Sequence, residues 1–261
     1  MANDLSAPVA AAAPTTEDLG IDREFIISMA RLPLIALAWF AAAWGASALI
    51  ETLNWQLTLV DAVETRIFNL GPIVVIAFGM LLAAFIDGYA FKVPNWCTLS
   101  LVMSGWYIGL LHDFSSTAIP GNGGFLAAFG GTMLVFICLF PALFIGGMGQ
   151  GDVKMTMGFG SWICAYFGLD AGAWILFWSF AIGVIVGGVF GLLMMAFRRQ
   201  FYKNLANTKE IFTDLKVLLT QGPTKAAERA NSRRKDWVRL PYGVPLCVGF
   251  LGYLWYVFFV A

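Results

Sequence analysis

Seven apolar runs, near residues 26–50, 68–86, 96–111, 123–145, 154–168, 173–197 and 243–260, decide most of what this chain can become. Several reach the length of about 20 residues that a helix needs to cross a bilayer. Of 261 residues, 59% are hydrophobic and 12% charged, with a mean hydropathy of +0.76. A water-soluble domain of that size needs a more polar surface. In hydrocarbon, backbone N–H and C=O groups must be satisfied within the protein, and a helix does this inside each segment. The sequence therefore predicts an all-α fold, a polytopic membrane bundle of about seven transmembrane helices. The third and fifth runs are short.

Charge sets the expected orientation. The chain is formally neutral, yet residues 1–197 hold 5 Lys/Arg against 12 Asp/Glu, and residues 198–261 hold 11 against 4. The basic segment 198–239 is expected in the cytoplasm, with its charges against anionic headgroups, and KNLANTKEIFTDLKVLLT within it as a surface helix. Counting spans back from there puts 169–172, 112–122 and 51–67 outside, and 146–155, 87–95 and the N-terminal tail inside. Residues 1–25 lack a basic start followed by an apolar core and read as a disordered cytoplasmic tail, not a cleaved signal. Residues 26–67 read as an additional N-terminal helix with an outer segment, and 68–261 as the main membrane domain.

Two aspartates follow from this parity. Asp87 ends the second span and Asp152 opens the fifth, so two crossings return the chain to one face and both carboxylates meet the cytoplasmic edge. An ionisable residue at membrane depth is costly and points to function. Each carboxylate also has an ordinary reading as an interfacial helix-end charge, favoured for Asp152 by the helix dipole. If the second and fifth helices are neighbours, the two form a dyad that shares one proton, one member taking a proton from water while the other polarises a peptide carbonyl. That chemistry needs no metal or cofactor. Cys97, Cys138, Cys164 and Cys247 lack metal-ligand spacing and read as buried apolar residues, and His112 falls on the outer face, a bilayer away.

Gly149 and Gly151, in GGMGQGDVKM, lack a Cβ, so backbone there can bend sharply or approach an extended peptide; tight helix packing is the other reading. Lys154 either holds a carboxylate ionised, contacts substrate backbone, or snorkels to headgroups. Pro94 and Asn95 are expected to shape the turn into the third helix. Pro241, Gly243 and Pro245 are expected to keep the start of the last helix irregular, as a groove wall or a proline-rich helix start.

GQGDVK (149–154) resembles the Gly-x-Gly-Asp-x-Lys motif of the type IV prepilin peptidases, which are membrane aspartyl proteases. IDGYAFKVPN (86–95) is similar to that family's other signature, an aspartate ending a helix before a short loop closed by Pro-Asn. RLPYGVPLCVGFLGYLW (239–255) is similar to the stretch opening its last helix. The resemblance runs from about residue 70 to 261 and is nearest the short Tad/Flp-pilus type. It implies a multi-pass enzyme of the bacterial inner membrane that removes the leader of prepilin-like precursors on the cytoplasmic side. Cleavage after a glycine, with Asp87 and Asp152 catalytic, is implied as well. Larger members add an N-terminal domain with CxxC pairs and methylate the new terminus; neither feature is present, so methylation is not expected. No nucleic-acid partner is expected, and the sequence does not give the oligomeric state. Three rivals remain: a small proton- or cation-coupled transporter using the same aspartates, a non-catalytic subunit of a secretion system, and the same protease acting on another class of precursor.

Overall fold

The computed structural model describes residues 23–60, 65–90, 93–114, 118–144, 148–197, 213, 216–217, 220 and 242–260. The N-terminal tail, the basic segment 198–239 and Pro241 lie outside these, apart from the four isolated positions between 213 and 220. Among the described residues seven long helices follow the seven apolar runs: α1 (Arg23–Thr52), α2 (Gly71–Ala90), α3 (Asn95–Asp113), α4 (Phe125–Phe144), α5 (Gln150–Phe167), α6 (Leu169–Phe197) and α7 (Gly243–Phe259).

α1, α2, α4 and α6 are long and apolar enough to cross a membrane on their own. Their outer surfaces carry stripes of large apolar residues. On α2 the stripe is Val74, Phe78, Leu81, Phe85 and Tyr89, spaced to fall along one face. α3 and α5 fall short of that apolarity because they sit inside. α5 touches α2, α3, α4, α6 and α7, and its broadest seams are with α3 and α4. Two of its polar side chains reach α3: Ser161 Oγ donates to the Val102 carbonyl at 2.9 Å, and Trp162 Nε1 to the Leu101 carbonyl at 2.8 Å. A buried polar group that is hydrogen-bonded escapes most of its burial cost. α1 packs along α2 and α3, and Trp39 Nε1 reaches Ser100 Oγ at 3.2 Å.

Two connections differ from the sequence expectation. The segment after α1, expected outside, forms a short antiparallel hairpin, β1 (Leu57–Val60) with β2 (Thr65–Phe68), in register Leu57 to Phe68. The expected outer loop 169–172 is instead the first turn of α6. Gly168 alone separates α5 from α6, at φ +82°, a left-handed conformation that glycine adopts without a Cβ clash.

At the hairpin end the chain is knotted by Asn69. Its side chain donates to the Ser47 carbonyl at 2.8 Å and accepts from Gly71 N at 3.0 Å, while its own carbonyl accepts from Tyr166 Oη at 2.9 Å. α1, α2 and α5 are thereby tied at one end of the bundle. His112 ties the segment before α4, with Nδ1 at 2.8 Å from the Gly123 carbonyl and Nε2 at 3.0 Å from that of Ile119.

Candidate active site at the ends of α2, α5 and α7

The opposite end of the bundle gathers the last turn of α2 and the first turns of α5 and α7. Asp87 is on that last turn of α2 and is 7% exposed; Asp152 is in the first turn of α5 and is 6% exposed. α2 and α5 are in contact, and the two carboxylates are close enough to act on one another electrostatically. The parity argument thus leads to one site.

Each carboxylate is held by a glycine amide. Gly149 N donates to Asp152 Oδ2 at 3.2 Å, and Gly243 N donates to Asp87 Oδ2 at 2.9 Å. Gly149 is the N-cap of α5, and an acid at the third helical position reaching back to the N-cap amide is half of a capping box. The other half is missing because glycine has no side chain. An acid in the first turn also lies favourably in the helix dipole. Asp87 has the opposite setting on its own helix, at the negative C-terminal end, and takes its amide from α7.

The glycines are not there to bend the chain. Gly149 has φ −76° and ψ 152°, extended backbone open to any residue, and Gly151 lies within α5. What Gly149 lacks room for is a side chain: an added Cβ would stand 2.9 Å from Asp152 Oδ2. At Gly151 an added Cβ would meet Val93 Cγ2 at 3.4 Å, an ordinary contact.

Pro94 is the N-cap of α3, and Asn95 its first residue, as the turn reading anticipates. Asn95 does more than open the helix, because its Oδ1 accepts from Lys154 Nζ at 2.8 Å. The lysine beside Asp152 is thus turned to α3 and bolts the start of that helix to α5. The start of α7 is regular from Gly243 onward, contrary to the irregular start expected there. Pro245 fits in the first turn, where a missing N–H goes unnoticed.

Tyr242 was not singled out by motif reasoning, although it stands in the quoted Pro-Tyr-Gly stretch. It immediately precedes α7 at the site. Its phenol is pushed above its ordinary value by desolvation first and by the Asp152 charge second, even though 38% of the residue remains exposed. The four cysteines are free, with Cys97, Cys164 and Cys247 buried and Cys138 exposed, the last against the expectation for all four.

Two buried carboxylates, each fixed by one amide at the same end of a helical bundle, are the groups that acid–base chemistry on water uses. Residues 74–194 match the model of the Type IV leader peptidase family, a stretch that includes both aspartates and stops short of α7. No curated protein and no solved structure gave a significant match.

Proposed function

From the match of residues 74–194 to the Type IV leader peptidase family we propose that the chain is a member of that family and an aspartyl endopeptidase for prepilin-like precursors. The substrate is a short polar leader followed by an apolar helix lying in the bilayer, cut after a glycine at the cytoplasmic edge. Asp87 and Asp152 form the reacting pair. The observation that carries this reading is the convergence of the two buried carboxylates at one end of the bundle, on helices that touch.

In the proposed reaction one carboxylate is ionised and one protonated at the outset, because like charges this near resist joint ionisation. The ionised member takes a proton from water as the water oxygen attacks the scissile carbonyl carbon. The protonated member gives its proton to the carbonyl oxygen, leaving a neutral tetrahedral diol. Collapse of the diol breaks the C–N bond, one carboxyl protonates the departing amine, and a hydroxyl proton returns to the pair. The titration belongs to the two groups together.

The N-terminus and the basic segment 198–239 are cytoplasmic in this reading, and α1 with its hairpin is an addition to the main membrane domain. The test is a cleavage assay with purified protein in lipid nanodiscs and a prepilin-like precursor. Asp87→Asn and Asp152→Asn should each abolish leader removal while the protein still inserts and unfolds at the normal midpoint. Processing at the wild-type rate by either variant would remove that residue from the mechanism.

A further inference from the structure

We propose that Gly243 is a positioning residue for Asp87, its amide orienting the carboxylate and its missing side chain leaving the space that the carboxylate fills. The proposal rests on the reading of Asp87 as one of the reacting pair.

Asp87 is placed where its own helix cannot help it. The last turn of α2 ends in unpaired carbonyls, and a carboxylate there meets the negative end of the dipole. The compensating donor comes from 156 residues away, as Gly243 N–H at 2.9 Å from Oδ2. Gly243 is the first residue of α7, so its amide has no partner within that helix and is free to serve a carboxylate.

The steric side is equally local. An added Cβ at Gly243 would stand 2.8 Å from Asp87 Oδ2, 3.0 Å from its Cβ and 3.1 Å from its Cγ. All three atoms belong to one side chain, and its Cβ cannot rotate away. A larger residue at 243 therefore displaces Asp87 itself. Gly88 lies on the same α2–α7 seam, yet an added Cβ there would meet only Val244 Cγ2 at 3.6 Å, an ordinary contact. The site accordingly needs α7, which lies beyond the matched stretch 74–194.

Three variants in nanodiscs test this, assayed with a prepilin-like precursor over a range of concentrations. Gly243→Ala adds the Cβ. Glycolic acid incorporated at 243 replaces the amide by an ester and removes the N–H without adding bulk. Gly88→Ala is the control on the same seam. Both changes at 243 should lower kcat by about ten- to a hundredfold, the scale of a lost charge-assisted hydrogen bond at a reacting group, and leave KM near wild type. Gly88→Ala should keep both constants. The ester decides the matter if Gly243→Ala fails to fold.

A wild-type kcat for the ester would overturn the proposal. So would a raised KM at unchanged kcat, which would make Gly243 a wall of the substrate groove, or an equal loss in Gly88→Ala, which would mean a loosened seam. Asp87→Asn separates the two levels. If it still cleaves, the catalytic reading has failed; if it is dead while the ester is normal, only the role of Gly243 has failed.

Discussion

Replacing Gly149 by alanine asks why the motif before Asp152 begins with glycine. The new Cβ would lie 2.9 Å from Asp152 Oδ2, and an ordinary contact begins near 3.4 Å, so the oxygen must retreat by about half an ångström. The Gly149 amide now sits 3.2 Å from that oxygen. After the retreat the separation is about 3.7 Å, too long for a hydrogen bond. A hydrogen bond to a charged group contributes about 1.5–3 kcal/mol, which as lost transition-state stabilisation is about ten- to a hundredfold in rate. The expected result is a fall in kcat of that size with little change in KM. Gly151→Ala should behave differently. Its Cβ rests against Val93 at 3.4 Å, and alanine in a helix is favoured over glycine by up to about 1 kcal/mol. That variant should cleave at close to the normal rate and unfold at a slightly higher temperature. The assay is initial-rate cleavage of a prepilin-like precursor in nanodiscs, with a thermal melt of each protein beside it. Should Gly151→Ala be the more damaged of the two, the glycines serve close approach of the substrate backbone, and the steric argument is wrong.

Other changes follow from the same geometry. Phe250→Ala empties half of a stacked pair, Phe159 and Phe250, whose centroids are 4.4 Å apart and whose side chains are fully buried between α5 and α7; denaturant titration should show a loss of about 3–5 kcal/mol. An unchanged midpoint would mean the seam closes over the gap. Lys154→Met and Asn95→Ala each remove the 2.8 Å bond between α5 and α3, and a double-mutant cycle on stability should give a coupling of about 1 kcal/mol, whereas additive losses would deny the contact. Tyr166→Phe deletes the bond to the Asn69 carbonyl at the far end and should cost about 1 kcal/mol in the melt while cleavage continues at the normal rate. A dead Tyr166→Phe protein would tie the far end to the chemistry.

The helices were legible because apolar length is written directly in sequence. Even the boundaries of α3 and α4 fall within two residues of the expected ones. The shortness of the third and fifth runs carried its own message. Ser100, Ser104, Thr156 and Ser161 interrupt the hydropathy of helices whose surroundings are protein; the first three bond carbonyls one turn back in their own helix, and only Ser161 needs a neighbouring helix, through the Val102 carbonyl. The hairpin 57–68 and the one-residue junction at Gly168 were not legible, since strand pairing and a left-handed glycine leave little trace in an apolar sequence. Parity expected Asp87 and Asp152 at one end of the bundle, where both are buried on helices that touch. It could not reveal that Gly149 and Gly243 are small because a carboxylate occupies their side-chain space, or that Lys154 answers to Asn95 across 59 positions. Such facts belong to the meeting of segments distant along the chain.

The central position of α5 bears on how the protein is made. A translating ribosome delivers this helix after α4 and before α6, and it is not among the helices long and apolar enough to cross a membrane on their own. It must wait beside α3 and α4, already released, until α6 emerges one residue later and pins it. A nascent chain arrested just past Gly168 would then leave α5 the segment most easily pulled back out of the bilayer.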